Sequence, residues 1–284
     1  MSEFAVDARV ARRRFERAAG SYAKASRLET EIGARMLERL DYVKLAPRRV
    51  LDAGSGPLRD AKRLGKRYRG AQVLALDFSL GMLRAGRGWF DVFSKGTSIC
   101  GDIAQLPFAA GAIDLVWSNM TLHWAADPLA ALCEFHRVLA VEGLLMFSTL
   151  GPDTLAELRA AAGAARVHAF ADMHDLGDML VAAGFAEPVM DMERLTIEYA
   201  DGDALLADLR ASGQTFALAR GGRGSGPRGL MGRGSFAALK GKLEAQRRAG
   251  RLPASYEVVY GHAWKAAPRR AADGRSIVQF ERRP

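Results

Sequence analysis

The chain has 284 residues, enough for one large domain or two small ones. Hydrophobic residues make up 49% and charged residues 26%, a composition that excludes disorder as the dominant state. The formal net charge of +9 favours acidic partners, and no nucleic-acid recognition motif with interleaved aromatic residues accompanies it.

No stretch approaches the roughly 20 apolar residues needed to cross a bilayer, and the charged N-terminal segment lacks the apolar core of a signal peptide. We therefore expect a cytoplasmic protein without a membrane partner. Two cysteines, Cys100 and Cys133, are too few for a disulfide framework or a cysteine-based zinc site, and we expect no metal.

Apolar runs bounded by turn residues alternate with amphipathic stretches, a pattern typical of an α/β protein with a parallel sheet. One or two helices are predicted over residues 6–40. Strands are predicted over residues 49–52, 72–77, 97–101, 113–118 and 144–149, and later over 195–199 and 257–264. Helices are predicted over residues 58–68, 79–86, 128–139 and 173–183, with Ser79 as an N-cap and Gly184 as a stop.

The first strand ends in a small, glycine-rich turn, Val50 to Leu58, that reads VLDAGSGPL. Such a turn lets a ligand approach the backbone closely. The second strand ends in Asp77, and an acid at this position of a doubly wound sheet can bind both hydroxyls of a ribose. The third strand leads into GDIAQLPF at residues 101–108, and the fourth reads IDLVWSN at residues 113–119.

This series resembles the class I S-adenosylmethionine-dependent methyltransferases over residues 48–150. The resemblance implies a Rossmann-like sheet of seven strands, mostly parallel with a reversed last hairpin, N-terminal helices and a helical insertion before the last strand. A nicotinamide-binding Rossmann domain is the rival, but GSGPL breaks its G-x-G-x-x-G pattern.

The resemblance implies a cofactor, S-adenosylmethionine, and a role for each motif residue. Gly54 and Gly56 would shape the cradle for its methionine side, with Asp52 at the base. Asp77 would hold the ribose. The remaining implied contacts are Asp102 to the adenine amino group, Ile103 beside the ring, and Ser118 and Asn119 at the methionine end.

One position departs from the family pattern, because Leu58 stands where many members have a further glycine. A side chain there is expected to crowd the carboxypropyl end of the cofactor. Weak cofactor binding, or loss of activity, would be the consequence.

Flanking segments at residues 14–26, 118–128, 208–215 and 252–264 resemble the BioC family, the malonyl-(acyl carrier protein) O-methyltransferases of biotin synthesis. The resemblance spans nearly the whole chain. It implies methylation of the free carboxylate of a malonyl thioester, carried by acyl carrier protein or by coenzyme A. A carboxylate with a pKa of roughly 4 is already ionised at neutral pH and needs no general base.

Three residues are candidates for catalysis. Arg210 would hold the substrate carboxylate, because its guanidinium fork suits that group. Tyr22 would cover the methyl site or bind the substrate, and His123 follows the fourth strand, where the pocket is expected.

We expect one domain, in which residues 1–45 form a helical cap and residues 46–200 the cofactor-binding core. Residues 201–254 would form an insertion that covers the substrate, before final strands over 255–284. Within the insertion, residues 220–234 are dominated by Gly and Arg and form either a loose surface loop or a basic lid that meets the acidic carrier protein.

Two other functions stay open. The first is a different methyltransferase on the same fold, acting on a small molecule or a quinone. The second is a non-catalytic protein, similar to respiratory assembly factors of this fold, that keeps a vestigial cofactor site.

Overall fold

The computed structural model of the protein describes residues 6–87, 97–215 and 232–267. Residues 220–231 of the glycine- and arginine-rich segment lie outside the described residues, as does the C-terminal stretch after residue 267. Of the helices within the described ranges, none combines the length and apolarity that a membrane crossing requires.

Seven strands within these ranges form one sheet in the order β3-β2-β1-β4-β5-β7-β6. Their bounds are β1 Arg49–Ala53, β2 Gln72–Asp77, β3 Thr97–Cys100, β4 Ile113–Ser118, β5 Leu139–Leu150, β6 Ala186–Tyr199 and β7 Leu252–Trp264. Strands β1 to β5 pair in parallel, and β7 runs antiparallel to both of its neighbours. The predicted fold class is confirmed, with β7 as the reversed strand.

Nine α-helices surround the sheet in the described ranges. They are α1 Ala8–Ala25, α2 Arg27–Arg39, α3 Arg59–Arg67, α4 Leu80–Gly86, α5 Pro128–Val138, α6 Ala156–Ala162, α7 Met173–Ala182, α8 Gly202–Ala211 and α9 Arg233–Glu244. The region predicted as one or two helices over residues 6–40 therefore holds two. Ser79 caps α4 as predicted, and Gly184 follows α7 with a φ of +95°.

The two late strands begin earlier than the sequence indicates. The first half of β6 carries Glu187, Pro188 and Asp191, residue types that are depleted in strands. They are tolerated because β6 is an edge strand, where proline and charged side chains do not interrupt a second ladder.

Helix α1 packs by a buried stripe of Ala11, Phe15, Ala18 and Ala19, spaced for one helical face. It is fastened to α4 through Glu16, whose carboxylate accepts hydrogen bonds from Ser79 Oγ at 2.6 Å and Gly81 N at 3.0 Å. The N-terminal helices therefore lie over the carboxyl ends of the central strands. The strand order reverses there, between β1 and β4, which is where ligands bind in open α/β sheets.

Candidate active site

A cavity opens at the carboxyl ends of β1, β2 and β4, beneath α1 and α2; we call it the strand-end cavity. A polar recess adjoins it around Asp52, Ser55 and Asp60. The wall of the cavity includes seven of the predicted site residues, which are Tyr22, Gly54, Gly56, Asp77, Asp102, Ile103 and Asn119. Segments far apart in the sequence therefore converge on one site.

The turn after β1 requires glycine at its first glycine position. Gly54 has a φ of +84°, and a Cβ there would stand 2.1 Å from Thr121 Oγ1. Gly56 also has a positive φ, of +51°, and faces the ring of Tyr22. The turn is held against β2 because Gly54 N and Ser55 N both donate to Leu76 O.

Asp77 connects this turn to the start of α4. One carboxylate oxygen accepts from Gly56 N at 2.9 Å and the other from Ser79 N at 2.8 Å. Burial raises the pKa of Asp77 to about 6, although both hydrogen bonds act to lower it. Each oxygen keeps a second lone pair for a ligand in the cavity.

Asp52 lies deeper, in the recess, and is almost completely buried. Its Oδ2 has no hydrogen-bond partner among the described residues, and neither does the nearby Ser55 Oγ. Burial and the neighbouring Asp60 carboxylate raise the pKa of Asp52 well above its usual value. Buried polar atoms without partners point to a ligand that supplies them.

The segments at the ends of β3 and β4 contribute unequally to the wall of the strand-end cavity. Asp102 is exposed, accepts a hydrogen bond from Ala104 N at 2.9 Å, and lines the cavity beside the buried Ile103. Ser118 is completely buried within β4 and is not part of the described wall of the cavity. Asn119, the next residue, does reach the wall.

Both polar atoms of the Asn119 side chain are hydrogen-bonded to protein groups. Its Nδ2 donates to Glu29 O at 2.9 Å and to Asp60 Oδ2 at 2.8 Å, while its Oδ1 accepts from Ser148 Oγ. Helix α2 can approach this closely only because it has Gly33 here, where a Cβ would meet both Asn119 and Asp60 at 2.7 Å. Asn119 therefore fixes the N-terminal helices against β4.

Glu29 lines both the cavity and the recess, and motif reasoning missed it. It is a buried carboxylate on α2, and burial raises its pKa to about 7. It accepts a hydrogen bond from Gln214 Nε2, which follows α8. No local signal could have identified Glu29, since a single acid in an amphipathic helix resembles a surface residue.

The three candidate catalytic residues occupy different places. Tyr22 is half-buried and lines both the cavity and the recess; burial and the carboxylates of Glu29 and Asp77 raise its pKa well above the usual value. Arg210 is exposed on α8 and lines a separate cavity.

His123 does not line the strand-end cavity in the described structure. Its Nδ1 lies 3.2 Å from Thr149 Oγ1, in a small pocket beside Phe170. Burial and the nearby His168 lower its pKa to about 3, so it is neutral at physiological pH. The cavity is lined instead by its neighbour Trp124, whose ring stands edge-on to Phe15 at 5.0 Å.

The expectation for Leu58 is corrected. Its side chain is buried in a small apolar cluster with Ala75 and Leu83, and it is absent from the described walls of the cavity and the recess. Leu58 adopts a left-handed conformation, with a φ of 61°, immediately before α3. The side chain packs between α3 and α4, so it does not crowd a ligand.

Comparison with known sequences identifies relatives over the full length. A family model described as a methyltransferase domain matches residues 51–147. A malonyl-(acyl-carrier protein) O-methyltransferase of Gallionella capsiferriformans is 49% identical, with 98% of each chain covered. One of the same name from Laribacter hongkongensis is also 49% identical, over 98% of this chain and 97% of the relative.

Solved structures share the fold at low identity. The YcgJ protein of Bacillus subtilis superposes with a TM-score of 0.57 at 17% identity, over 82% of this chain and 98% of that one. Phosphoethanolamine N-methyltransferase 2 of Haemonchus contortus, solved with S-adenosyl-L-methionine, gives 0.54 at 16%, over 83% and 52%. The 49% identity to the two curated relatives, over 98% of this chain, shows that the chain belongs to the malonyl-(acyl-carrier protein) O-methyltransferase family.

Proposed function

We propose that this protein transfers a methyl group from S-adenosylmethionine to the free carboxylate of a malonyl thioester on acyl carrier protein. The observation that carries the proposal is 49% identity over 98% of the chain to relatives of that name. The strand-end cavity and its recess support it, because together they combine a glycine turn with acids at the ends of β1 and β2 and just after β3.

The residues present fit the cofactor. Gly54 and Gly56 line the cavity without a side chain that would stand between the backbone and a ligand, and Asp52 Oδ2 and Ser55 Oγ are buried polar atoms without a hydrogen-bond partner among the described residues. We assign the methionine end to this polar recess. Glu29 lies there as well, and its carboxylate suits the cofactor's ammonium group.

The other end of the cavity suits the nucleoside. Asp77 has two unused lone pairs for the ribose hydroxyls, and its carboxylate is already oriented by Gly56 N and Ser79 N. Asp102 and Ile103 lie next to each other on the wall, one polar and one apolar, as an adenine amino group and ring require.

S-adenosylmethionine, when bound, supplies a methyl group on a sulfonium centre, and in-line displacement by a carboxylate oxygen leaves a neutral thioether. The acceptor is already an anion at neutral pH, so the protein needs no general base. Its contribution is alignment and the exclusion of water. Phe15, Phe78 and Trp124 supply apolar walls for that purpose.

Tyr22 lines both the cavity and the recess, which supports a role for it at the transfer site. Its raised pKa keeps the phenol protonated, so it donates a hydrogen bond rather than acting as a base. The catalytic role predicted for His123 stays a prediction, and its place against Thr149 favours support of the Trp124 turn instead. The role implied for Ser118 at the methionine end also stays a prediction, since Ser118 is buried within β4 and outside the described wall of the cavity.

The domain organisation also stays a proposal. We treat residues 1–45 as the cap, 46–200 as the core and 201–254 as the substrate-covering insertion. A contact that supports it joins Ser21 Oγ of α1 to Ala211 O of α8 at 2.8 Å. The insertion and cap are thereby neighbours above the cavity.

The positive net charge of this protein suits an acidic partner such as acyl carrier protein. The net charge is +9, and Arg12 and Arg13 are exposed on α1. Acidic carrier proteins would be attracted to such a rim, which accelerates encounter more than it tightens binding.

The test is a transfer assay with methyl-labelled S-adenosylmethionine. Malonyl carrier protein should gain label, whereas acetyl carrier protein, which has no free carboxylate, should gain none. Label on the acetyl form, or none on the malonyl form under conditions where the protein binds the cofactor, would refute the proposal.

A further inference from the structure

A second cavity lies beside the first, and we call it the apolar cavity. It has a volume of about 290 Å³ and lies among α1, α6, α8, α9 and β7. Most of its wall is aliphatic or aromatic, as shown by Leu155, Leu206, Leu239 and Tyr256. A space of this size and lining suits a short organic chain.

The two cavities share a wall and a hydrogen bond. Trp124 lines both. Gln214 lines the apolar cavity and donates to Glu29, which lines the strand-end cavity. A molecule in the apolar cavity would therefore meet the strand-end cavity along the Trp124 ring.

The apolar cavity is positively charged. Three arginines, Arg14, Arg166 and Arg210, contribute to its described wall, which includes no aspartate or glutamate. A carboxylate enters an apolar space at acceptable cost only when a cation meets it there. The lining thus suits an acceptor that combines an uncharged body with an anionic end.

Arg14 differs from the other two in its surroundings. It lies on α1 next to Phe15, which packs edge-on against Trp124. Burial and, to a smaller extent, the positive charge of Arg14 lower the pKa of His168, whose ring stands 5.2 Å from that of Trp124. Arg14 is half-buried and forms no hydrogen bond or ion pair with the described residues, whereas Arg210 is exposed to water that competes for its partners.

We infer that the apolar cavity holds the acyl end of the acceptor thioester and that Arg14, rather than Arg210, binds its free carboxylate beside Trp124. This inference rests on the proposed function. A guanidinium fork donates to both oxygens of a carboxylate, and the second lone pair of one oxygen remains free to attack the methyl group. The methyl ester is neutral and loses this ion pair, so the same contact favours release of the product.

The first test is the selectivity of binding. Malonyl carrier protein and its methyl ester are titrated against wild type, Arg14→Gln and Arg210→Gln, each loaded with S-adenosylhomocysteine, which has no methyl group to transfer. Arg14→Gln should weaken binding of the carboxylate form by about 10- to 100-fold, the range for a lost charged hydrogen bond, and leave the ester unchanged. Arg210→Gln should change the two forms equally and little.

Two further variants separate charge from structure. Arg14→Lys should regain part of the affinity, since it keeps the charge and loses the fork. Arg17→Gln is the matched control, because Arg17 is an exposed arginine one turn along the same helix. It should bind both forms as wild type does.

The outcomes are distinct for the two proposals. Wild type that does not methylate malonyl carrier protein refutes the proposed function. Active wild type with an Arg14→Gln variant that weakens both ligand forms equally, or neither, refutes the inference. A carboxylate-selective loss in Arg210→Gln alone would also refute it and assign the role to Arg210.

Discussion

Gln214 donates a hydrogen bond to the buried carboxylate of Glu29 across 185 residues of sequence. The contact joins the end of the α8 segment to α2, and so connects the insertion to the cap over the cavity. Because Glu29 is 7% exposed, its protonation state affects both the fold and the cavity lining.

The first prediction concerns the pH dependence of stability. The pKa of Glu29 rises from 4.5 in the unfolded chain to about 7 in the folded protein. The folded state binds more protons between these values, so the free energy of unfolding should fall as pH rises from 4.5 to 7. Glu29→Gln should remove the part of this fall that Glu29 causes, and at pH 8 it should be more stable than wild type by on the order of 2–3 kcal/mol.

Denaturant titrations at several pH values measure this difference. Glu38→Gln is the control, because Glu38 is exposed on the same helix. A Glu29→Gln variant whose stability follows pH in parallel with wild type would contradict the assignment.

The second prediction concerns Asp77 and the ribose. Asp77→Ala removes two charge-assisted hydrogen bonds worth roughly 1.5–3 kcal/mol each, so affinity for S-adenosylmethionine should fall at least tenfold. In wild type, affinity should also weaken as pH falls below about 6, where Asp77 becomes protonated. The variant should lose that pH dependence.

Calorimetry measures both effects, with the exposed Asp178→Ala on α7 as control. Because Asp77 also accepts from Gly56 N and Ser79 N, thermal melting is needed to show that the variant is folded. If folded Asp77→Ala binds S-adenosylmethionine with unchanged affinity, the assignment of Asp77 to the ribose is wrong.

The third prediction concerns Leu58. Leu58→Gly relieves a left-handed conformation that costs about 1–2 kcal/mol, but it empties a buried site, and Leu→Ala changes at such sites cost about 2–5 kcal/mol. Net destabilisation of about 1–3 kcal/mol is expected. Cofactor affinity should stay within about twofold, whereas a strong gain in affinity would restore the crowding interpretation that the structure contradicts.

The fourth prediction concerns Gly54. Gly54→Ala places a Cβ 2.1 Å from Thr121 Oγ1, at a φ of +84° that side chains rarely adopt. Cofactor binding should be lost, and stability should fall by more than about 2 kcal/mol. Gly70→Ala is the matched control, since a Cβ there meets nothing within 4 Å and stability should hardly change.

The strand-end motifs could be predicted because they are local. In a parallel sheet, the residues that follow successive strands meet at one edge, so Asp77 and Asp102 were placed from sequence alone. Apolar runs likewise located β1 to β5. The structure confirms those strands, and it extends β5 back to Leu139.

The remaining site features depend on packing between distant segments. Glu29 and Gln214 meet only through the fold, and the position of Trp124 between two cavities has no signature in spacing. His123 and Trp124 are adjacent in sequence, yet the turn directs one toward Thr149 and the other toward the cavity. The crowding predicted for Leu58 is wrong because the left-handed backbone at the start of α3 directs its side chain into the apolar cluster with Ala75 and Leu83.

The most direct test of the central claim is the mass of malonyl carrier protein before and after incubation with this protein and S-adenosylmethionine. We predict a gain of one methylene, located on the malonyl group and removed by ester hydrolysis. The gain should be absent from acetyl carrier protein and strongly reduced with Gly54→Ala. An unchanged mass, or a methyl group found on the carrier polypeptide itself, would contradict the account.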